Sequence, residues 1–178
     1  EINFLGKGII LVSTQGAEST TIFANSDEDG GTYEPEQSVV TIKDVLVNEA
    51  VLDGFTLQGG YGKGVDFDYF VSVASDPDMF NDMMYNHITS GGISIINSSI
   101  TLSNLIIKNN IAKNFGGGIG MVNSTSHLNN IIIENNHIPD VDGLGGSGIA
   151  INGGITTIDN CIIRDNTVGL NLYQLNGG

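Results

Sequence analysis

One acidic segment has the residue types and spacing of a calcium-binding loop. Residues 25–36 read NSDEDGGTYEPE and carry oxygen-bearing side chains at alternate positions before a closing carboxylate. The candidate ligands are Asn25, Asp27, Asp29 and Glu36. Gly30 permits the sharp bend that such a loop needs, and oxygen ligands at this spacing suit a cation of the size of Ca²⁺. Pro35 and the lack of predicted flanking helices leave an acidic, solvent-exposed turn as the alternative.

Two basic residues have the chemistry to bind the carboxylate of an acidic sugar. Lys108 and Arg164 occupy one position in two copies of a repeat, and Glu134 occupies it in the copy between them. Cations placed there could neutralise a sugar carboxylate in the transition state. Asp159 is a further candidate for an acid–base role. Because Glu134 separates the two cations, a structural ladder of alternating charge is the favoured alternative.

The overall charge limits the classes of partner. The chain has 20 acidic and 6 basic residues, which gives a net charge of −14. Without a basic patch, nucleic acid and anionic membrane surfaces are excluded as expected partners, and anionic polysaccharides are repelled unless cations bridge them. No apolar segment is long enough to insert into a membrane. The single Cys161 rules out an internal disulfide framework and is expected to be a buried thiol.

The candidate residues belong to a repeat that occurs three times in succession. The segments 91–110, 117–136 and 147–166 align with one another without a gap. The interval between their starts indicates stacked units that bury their apolar faces against one another. Asn recurs in two columns, which we expect to be hydrogen-bonded stacks at turns. These columns are Asn104, Asn130 and Asn160, and Asn110, Asn136 and Asn166.

Each repeat contains two strand-like stretches rich in Ile, Leu and Thr, which end in Asn, Gly or Ser turns. The GG-I motif at Gly91-Gly92-Ile93 and Gly117-Gly118-Ile119 resembles repeats of the pectin-lyase-like superfamily, and its closest likeness is to secreted and surface-adhesin proteins. That family often has Phe where this chain has Ile107, Ile133 and Ile163. The resemblance implies an all-β, right-handed parallel β-helix, a solenoid of roughly seven coils. It also implies an extracellular or cell-surface location.

The resemblance extends over nearly the whole chain, and we expect one domain, 1–178, cut from a longer protein. Upstream, residues 53–60 align with residues 103–110, and residues 1–14 look like an early coil. Residues 61–90 are the exception and form an insertion with one short helix. Asp76-Pro77 predicts its start. Its apolar residues Met79, Phe80, Met83 and Met84 are expected to pack on the flank of the coils, or alternatively to bind a partner.

Alternation along the strands predicts which side chains face the core. If Leu105 and Ile107 point inward, Ile106 and Lys108 point outward. On the preceding strand the outward column is small: Ser94, Gly120 and Ala150. Such a column either leaves a flat, bare sheet that a sugar ring could approach or reflects local packing.

Two functions remain open on these grounds. The favoured one is a non-catalytic structural, adhesion or carbohydrate-contacting module, whose partner is a polysaccharide or another surface protein. It accounts for the regular repeat and for the lack of a local cluster of carboxylates. The alternative is a polysaccharide lyase or glycoside hydrolase that acts in a groove along the coils, assisted by Ca²⁺. Lys108, Arg164 and Asp159 are its candidate residues.

Overall fold

The structure is a computed structural model, and it describes residues 1–24, 37–46, 50–139 and 145–169. Of the residues that the structure describes, 48% lie in strands and 11% in helices, so this part of the chain is predominantly β. The described strands form an 11-stranded sheet and a 4-stranded sheet, and all of their pairings are parallel. The sheet is curled, which is compatible with the expected solenoid.

The strands are short segments separated by turns, except where a strand bends through a corner. They are β1 (Ile2–Asn3), β2 (Ile10–Val12), β3 (Thr21–Phe23), β4 (Val40–Lys43), β5 (Ala50–Asp53), β6 (Thr56–Gln58), β7 (Tyr61–Gly62), β8 (Ile93–Ile96), β9 (Ser99–Lys108), β10 (Ile111–Ala112), β11 (Ile119–Glu134), β12 (His137–Ile138), β13 (Ile149–Asp159), β14 (Ile162–Arg164) and β15 (Thr167–Val168). Two helices lie between β7 and β8, α1 (Phe67–Val73) and α2 (Pro77–Asn86). Neither of these helices is long and apolar enough to cross a membrane.

The predicted alignment of the repeats is the observed strand register. Leu128 of β11 lies opposite Leu102 of β9 and Ile158 of β13, which are the equivalent positions of the preceding and following repeats. Asp53 pairs with Ser103, so the predicted upstream alignment is also confirmed. Parallel stacking in this register places equivalent residues of successive repeats about 4.8 Å apart.

The described chain passes five times through one column of strands, whereas roughly seven coils were expected. In that column β1, β4, β8, β11 and β13 are neighbours in this order. The paired residues Ile2, Val40 and Ile93 lie farther apart in sequence than paired residues of the three repeats do, because long segments interrupt the early passes. An average of about 25 residues per coil is therefore too short. We call these passes rungs 1 to 5.

The predicted side-chain directions are confirmed. Four residues of rungs 3 and 4 are at most 1% exposed and belong to the apolar core: Leu105, Ile107, Ile131 and Ile133. Ile106 and Lys108, which alternate with them, are only half-buried. Cys161 is partly buried and packs against the same core. Ile163 continues the column of Ile107 and Ile133 but is 51% exposed, since a rung covers it on one side only within the described residues.

The insertion holds two helices where one was expected. α2 begins as predicted, because the Asp76 carboxylate accepts hydrogen bonds from the backbone N–H groups of Asp78 and Met79, at 3.0 and 3.2 Å. Pro77 occupies the first turn, where no N–H is needed. α1 is not predicted, because most of its residues, FDYFVSV, are of types that favour strands.

The insertion covers the sheet face that carries the column of small residues. All three small residues of that column are buried: Ser94, Gly120 and Ala150. A Cβ added at Gly120 would come within 2.8 Å of the ring of Phe115, so the small column makes room for this ring. Met83 and Met84 are at most 1% exposed and belong to the same apolar cluster as Phe115. The prediction that α2 packs on the flank is therefore confirmed for these two residues, and of the two interpretations of the small column the structure agrees with local packing rather than with a flat, open face.

Candidate functional site

Lys108, Glu134 and Arg164 lie side by side on three neighbouring rungs, as the alternation predicts. Arg164 donates from Nε and Nη2 to one carboxylate oxygen of Glu134, at 2.8 and 2.6 Å. These hydrogen bonds raise the pKa of Arg164 above its ordinary value. Lys108 forms no ion pair with any residue that the structure describes. The guanidinium already has a carboxylate partner, which favours the charge-ladder interpretation over binding of a sugar carboxylate.

Asp159 has a different neighbour. Its Oδ2 lies 3.7 Å from Nδ1 of His127, and both side chains are about half exposed. In the described part of the chain, no hydrogen bond or ion pair joins Asp159 to Lys108 or Arg164. The three candidate catalytic residues are therefore not joined in one polar cluster. His127, which the sequence analysis did not single out, is the residue that the structure places beside Asp159.

The surroundings of Asp159 form a continuous polar surface. We call the following outward side chains of rungs 3 to 5 the polar face: Ser99, Thr101, Ser103, Thr125, His127, Asn129, Thr157 and Asp159. On rungs 3 and 4 they alternate with buried residues such as Leu102 and Leu128, and Thr157 and Asp159 continue the same columns in register on rung 5, so their direction follows from the pleat of the strands. Part of this surface is a shallow groove that also includes Ile155, which is 71% exposed. Its sequence signal, Ser and Thr alternating with Ile and Leu in β9, could have identified it.

A column of turn residues borders the polar face. Asn104, Asn130 and Asn160 all have positive φ, from 51 to 56°, a conformation that Asn tolerates better than most residues. The Asn130 amide donates to Asn104 at 2.7 Å, and the Asn104 amide donates to the carboxylate of Asp53 at 2.8 Å. The prediction that this column has a structural role is confirmed for these contacts. Through Asn104, the column also holds the Asp53 carboxylate at the edge of the polar face.

A second polar cluster, which no sequence pattern predicts, ties the insertion to the sheet. The hydroxyl of Tyr85 and the amide of Asn97 donate to the two oxygens of Asp44, at 2.5 and 2.8 Å. The ammonium of Lys43 donates to the carbonyl of Tyr85 at 3.0 Å and lies 3.7 Å from its ring centroid. Hydrogen bonds from Tyr85 and Asn97 lower the pKa of Asp44, and the bond to Asp44 raises the pKa of Tyr85. We call these four residues the tether.

The tether predicts a pH-dependent contribution to stability. Since the pKa of Asp44 lies below 3.8 in the folded protein, its contribution is fully present above that pH and is lost as the pH falls through the folded pKa. The Tyr85 hydroxyl donates only while it is protonated. Because its pKa is raised above 10.0, the contribution of this hydrogen bond to stability is lost only as the pH rises through the folded pKa of Tyr85. Tyr85→Phe should therefore lower the free energy of unfolding by about 1 kcal/mol at pH 7, and by less at a pH below the folded pKa of Asp44. Thermal unfolding at both pH values measures this.

Tyr69→Phe is the control for the tether, because Tyr69 is 39% exposed and contacts His87 rather than a carboxylate. It should change stability little and equally at both pH values. A loss in Tyr85→Phe that does not depend on pH would contradict the role of the Asp44 carboxylate.

The calcium prediction lies outside the described residues. The candidate ligands Asn25, Asp27, Asp29 and Glu36 all belong to residues 25–36, so calcium stays a prediction. Among the residues that the structure describes, no three His, Cys, Asp or Glu side chains are grouped so that they could hold a metal ion. His87 and His137 have separate partners, Asp82 and Thr167, and form no common site.

No known protein family matches the sequence, and searches of curated proteins and of solved structures likewise find no match. The resemblance of the repeats to the pectin-lyase-like superfamily is compatible with the parallel, curled sheet but has no matching family or homologue to support it. The function is therefore inferred from the geometry of this chain alone.

Proposed function

We propose that the chain is a right-handed parallel β-helical module of the pectin-lyase-like type, which contacts carbohydrate without catalysing a reaction. The parallel curled sheet and the in-register repeats support the architecture. Stacked rungs of this kind make a rigid, elongated surface, which suits a structural or adhesive part of an extracellular or cell-surface protein.

The polar face is the observation on which the carbohydrate proposal rests. It presents hydroxyl, amide and imidazole groups in rows that follow the rungs, about 4.8 Å apart. The core behind it is packed, so these groups are held in place before a ligand arrives and little ordering is needed on binding. A polysaccharide offers hydroxyl groups that both donate and accept hydrogen bonds, and Ser, Thr, Asn and His side chains can match both roles.

Among the described residues, the candidate catalytic side chains are not joined in one cluster, which supports a non-catalytic role. A hydrolase needs two carboxylates about 5–10 Å apart around the scissile bond, and a lyase needs concentrated positive charge at the reacting sugar. In the described residues Asp159 faces His127, and Arg164 is paired with Glu134. We therefore propose binding, with a polysaccharide or a glycosylated surface protein as the partner, over the lyase or hydrolase alternative.

Binding and catalysis can be tested together. The protein is titrated with soluble neutral and anionic polysaccharides by calorimetry, and each mixture is assayed for unsaturated sugars and new reducing ends. We expect binding without products. His127→Ala and Thr157→Val should each weaken binding by roughly 2- to 12-fold, which corresponds to one net hydrogen bond. Ser72→Ala on α1, an exposed hydroxyl outside the polar face, is the matched control and should bind as the unmodified protein does.

Two outcomes would contradict the proposal. Products that disappear in Lys108→Ala or Arg164→Ala would make the chain an enzyme. Equal binding by Thr157→Val and the unmodified protein, with folding intact, would place the carbohydrate elsewhere on the surface.

A further inference from the structure

We infer that the polar face selects uncharged polysaccharides and rejects polyuronates, an inference that rests on the proposed function. The inference is based on the ionisable groups of this surface. Asp159 belongs to the face, and Asp53 is held at its border by Asn104. His127 is the single group of the face that can become cationic, and its neighbour is the Asp159 carboxylate. No Lys or Arg is among the described residues that form the polar face.

The basic side chains closest in sequence lie outside the polar face. Lys108 and Arg164 follow the Asn corner and lie on the next strand segment. Glu134 stands between them and accepts two hydrogen bonds from Arg164. A uronate chain along the polar face would therefore meet carboxylates and no Lys or Arg side chain of that face, in a protein of net charge −14. Desolvating a carboxylate there without a partner is unfavourable.

The same surface has what an uncharged sugar needs. Thr101, Thr125 and Thr157 present hydroxyl groups on three successive rungs, and their methyl groups add apolar area. Ile155, which is 71% exposed at the groove, can pack against the apolar C–H face of a sugar ring and so remove apolar surface from water. Hydroxyls beside an exposed aliphatic side chain match the alternating polar and apolar surfaces of a neutral glycan, whereas uronates require cations.

The experiment compares one neutral and one anionic chain of similar length, hydroxyethyl cellulose and polygalacturonate, in EDTA and in calcium. The folded protein should bind the neutral chain in both buffers and show at least tenfold weaker binding of polygalacturonate in EDTA. Thr157→Lys adds a cation to the polar face and should increase polygalacturonate binding severalfold, an effect that salt suppresses. Ser72→Lys adds the same charge on α1 and should leave the preference unchanged.

The possible outcomes distinguish failure of the charge selectivity from failure of the proposed carbohydrate binding. Polygalacturonate binding in EDTA that equals or exceeds binding of the neutral chain would overturn the charge selectivity while leaving carbohydrate binding in place. An equal gain in Thr157→Lys and Ser72→Lys would show that the polar face does not set the preference and would also overturn it. Binding of neither polysaccharide would overturn both the inference and the proposed function.

Discussion

Replacing Ile133 with Ala is expected to lower the free energy of unfolding by about 2–5 kcal/mol. Ile133 is fully buried, and it lies between Ile107 on one neighbouring rung and Ile163 on the other. Its Cγ2 methyl occupies the space beside Gly118, where an added Cβ would come within 2.8 Å of it. Because hydrogen bonds fix the spacing of the rungs, the sheet cannot collapse into the space that the lost atoms leave. Urea unfolding with a shared m-value measures the difference.

Ile132→Ala is the matched control for this prediction. Ile132 is the same residue type, one position away in β11, but it points outward and is only half-buried. Its loss should cost about 1 kcal/mol or less. Equal losses in the two variants would contradict the inward direction of Ile133, and with it the energetic importance of the stacked column.

The register of rungs 3 to 5 could be predicted because residues that align in the three repeats are also paired in the sheet. Asn104 and Asn130 align in sequence, and they stack in the structure with an amide hydrogen bond of 2.7 Å. Lys108 and Glu134 align in the same way and pair in register. A one-residue slip would turn every buried Ile to the outside, so periodicity alone fixes the pairing here.

The early rungs and the insertion could not be predicted in the same detail, because periodicity is lost there. Val40 and Ile93 pair across the whole insertion and the strands before it, a separation that no repeat length indicates. The residue types of α1 favour a strand, yet the segment is helical. In this helix Val73 packs in one apolar cluster with Met84 and Phe115. Tertiary contacts of this kind override local propensity.

The candidate site was only partly predictable for a related reason. The alternation of polar and apolar residues in β9 contains the polar face, although the sequence analysis singled out charged residues instead. The tether has no such signal, since Tyr85 and Asp44 are far apart in sequence and belong to an insertion and a turn. Contacts between non-repeating segments depend on how the insertion folds back, which the repeat pattern does not contain.

Asn136→Ala is the second substitution for which we expect a large loss of stability. Asn136 is fully buried in a column of three Asn side chains. Its Oδ1 accepts hydrogen bonds from the backbone N–H and the side-chain amide of Asn110, at 3.1 and 3.0 Å. Its Nδ2 donates to the carbonyl of Ile107 at 2.9 Å and to Asn166 at 3.0 Å.

Asn136→Ala removes the acceptor of the buried Asn110 backbone N–H, and it also removes the hydrogen bonds that Asn136 forms with the Asn110 side chain and the Ile107 carbonyl. A buried N–H left without an acceptor costs about 1–3 kcal/mol, and each of the other lost hydrogen bonds adds about 1 kcal/mol. Asn130→Gly is the control, because Asn130 belongs to the exposed column and glycine keeps its positive φ of 56°. Chemical unfolding of both variants should give the larger loss for Asn136→Ala. A larger loss for Asn130→Gly would mean that the corner turns, rather than the buried amide column, hold successive rungs together.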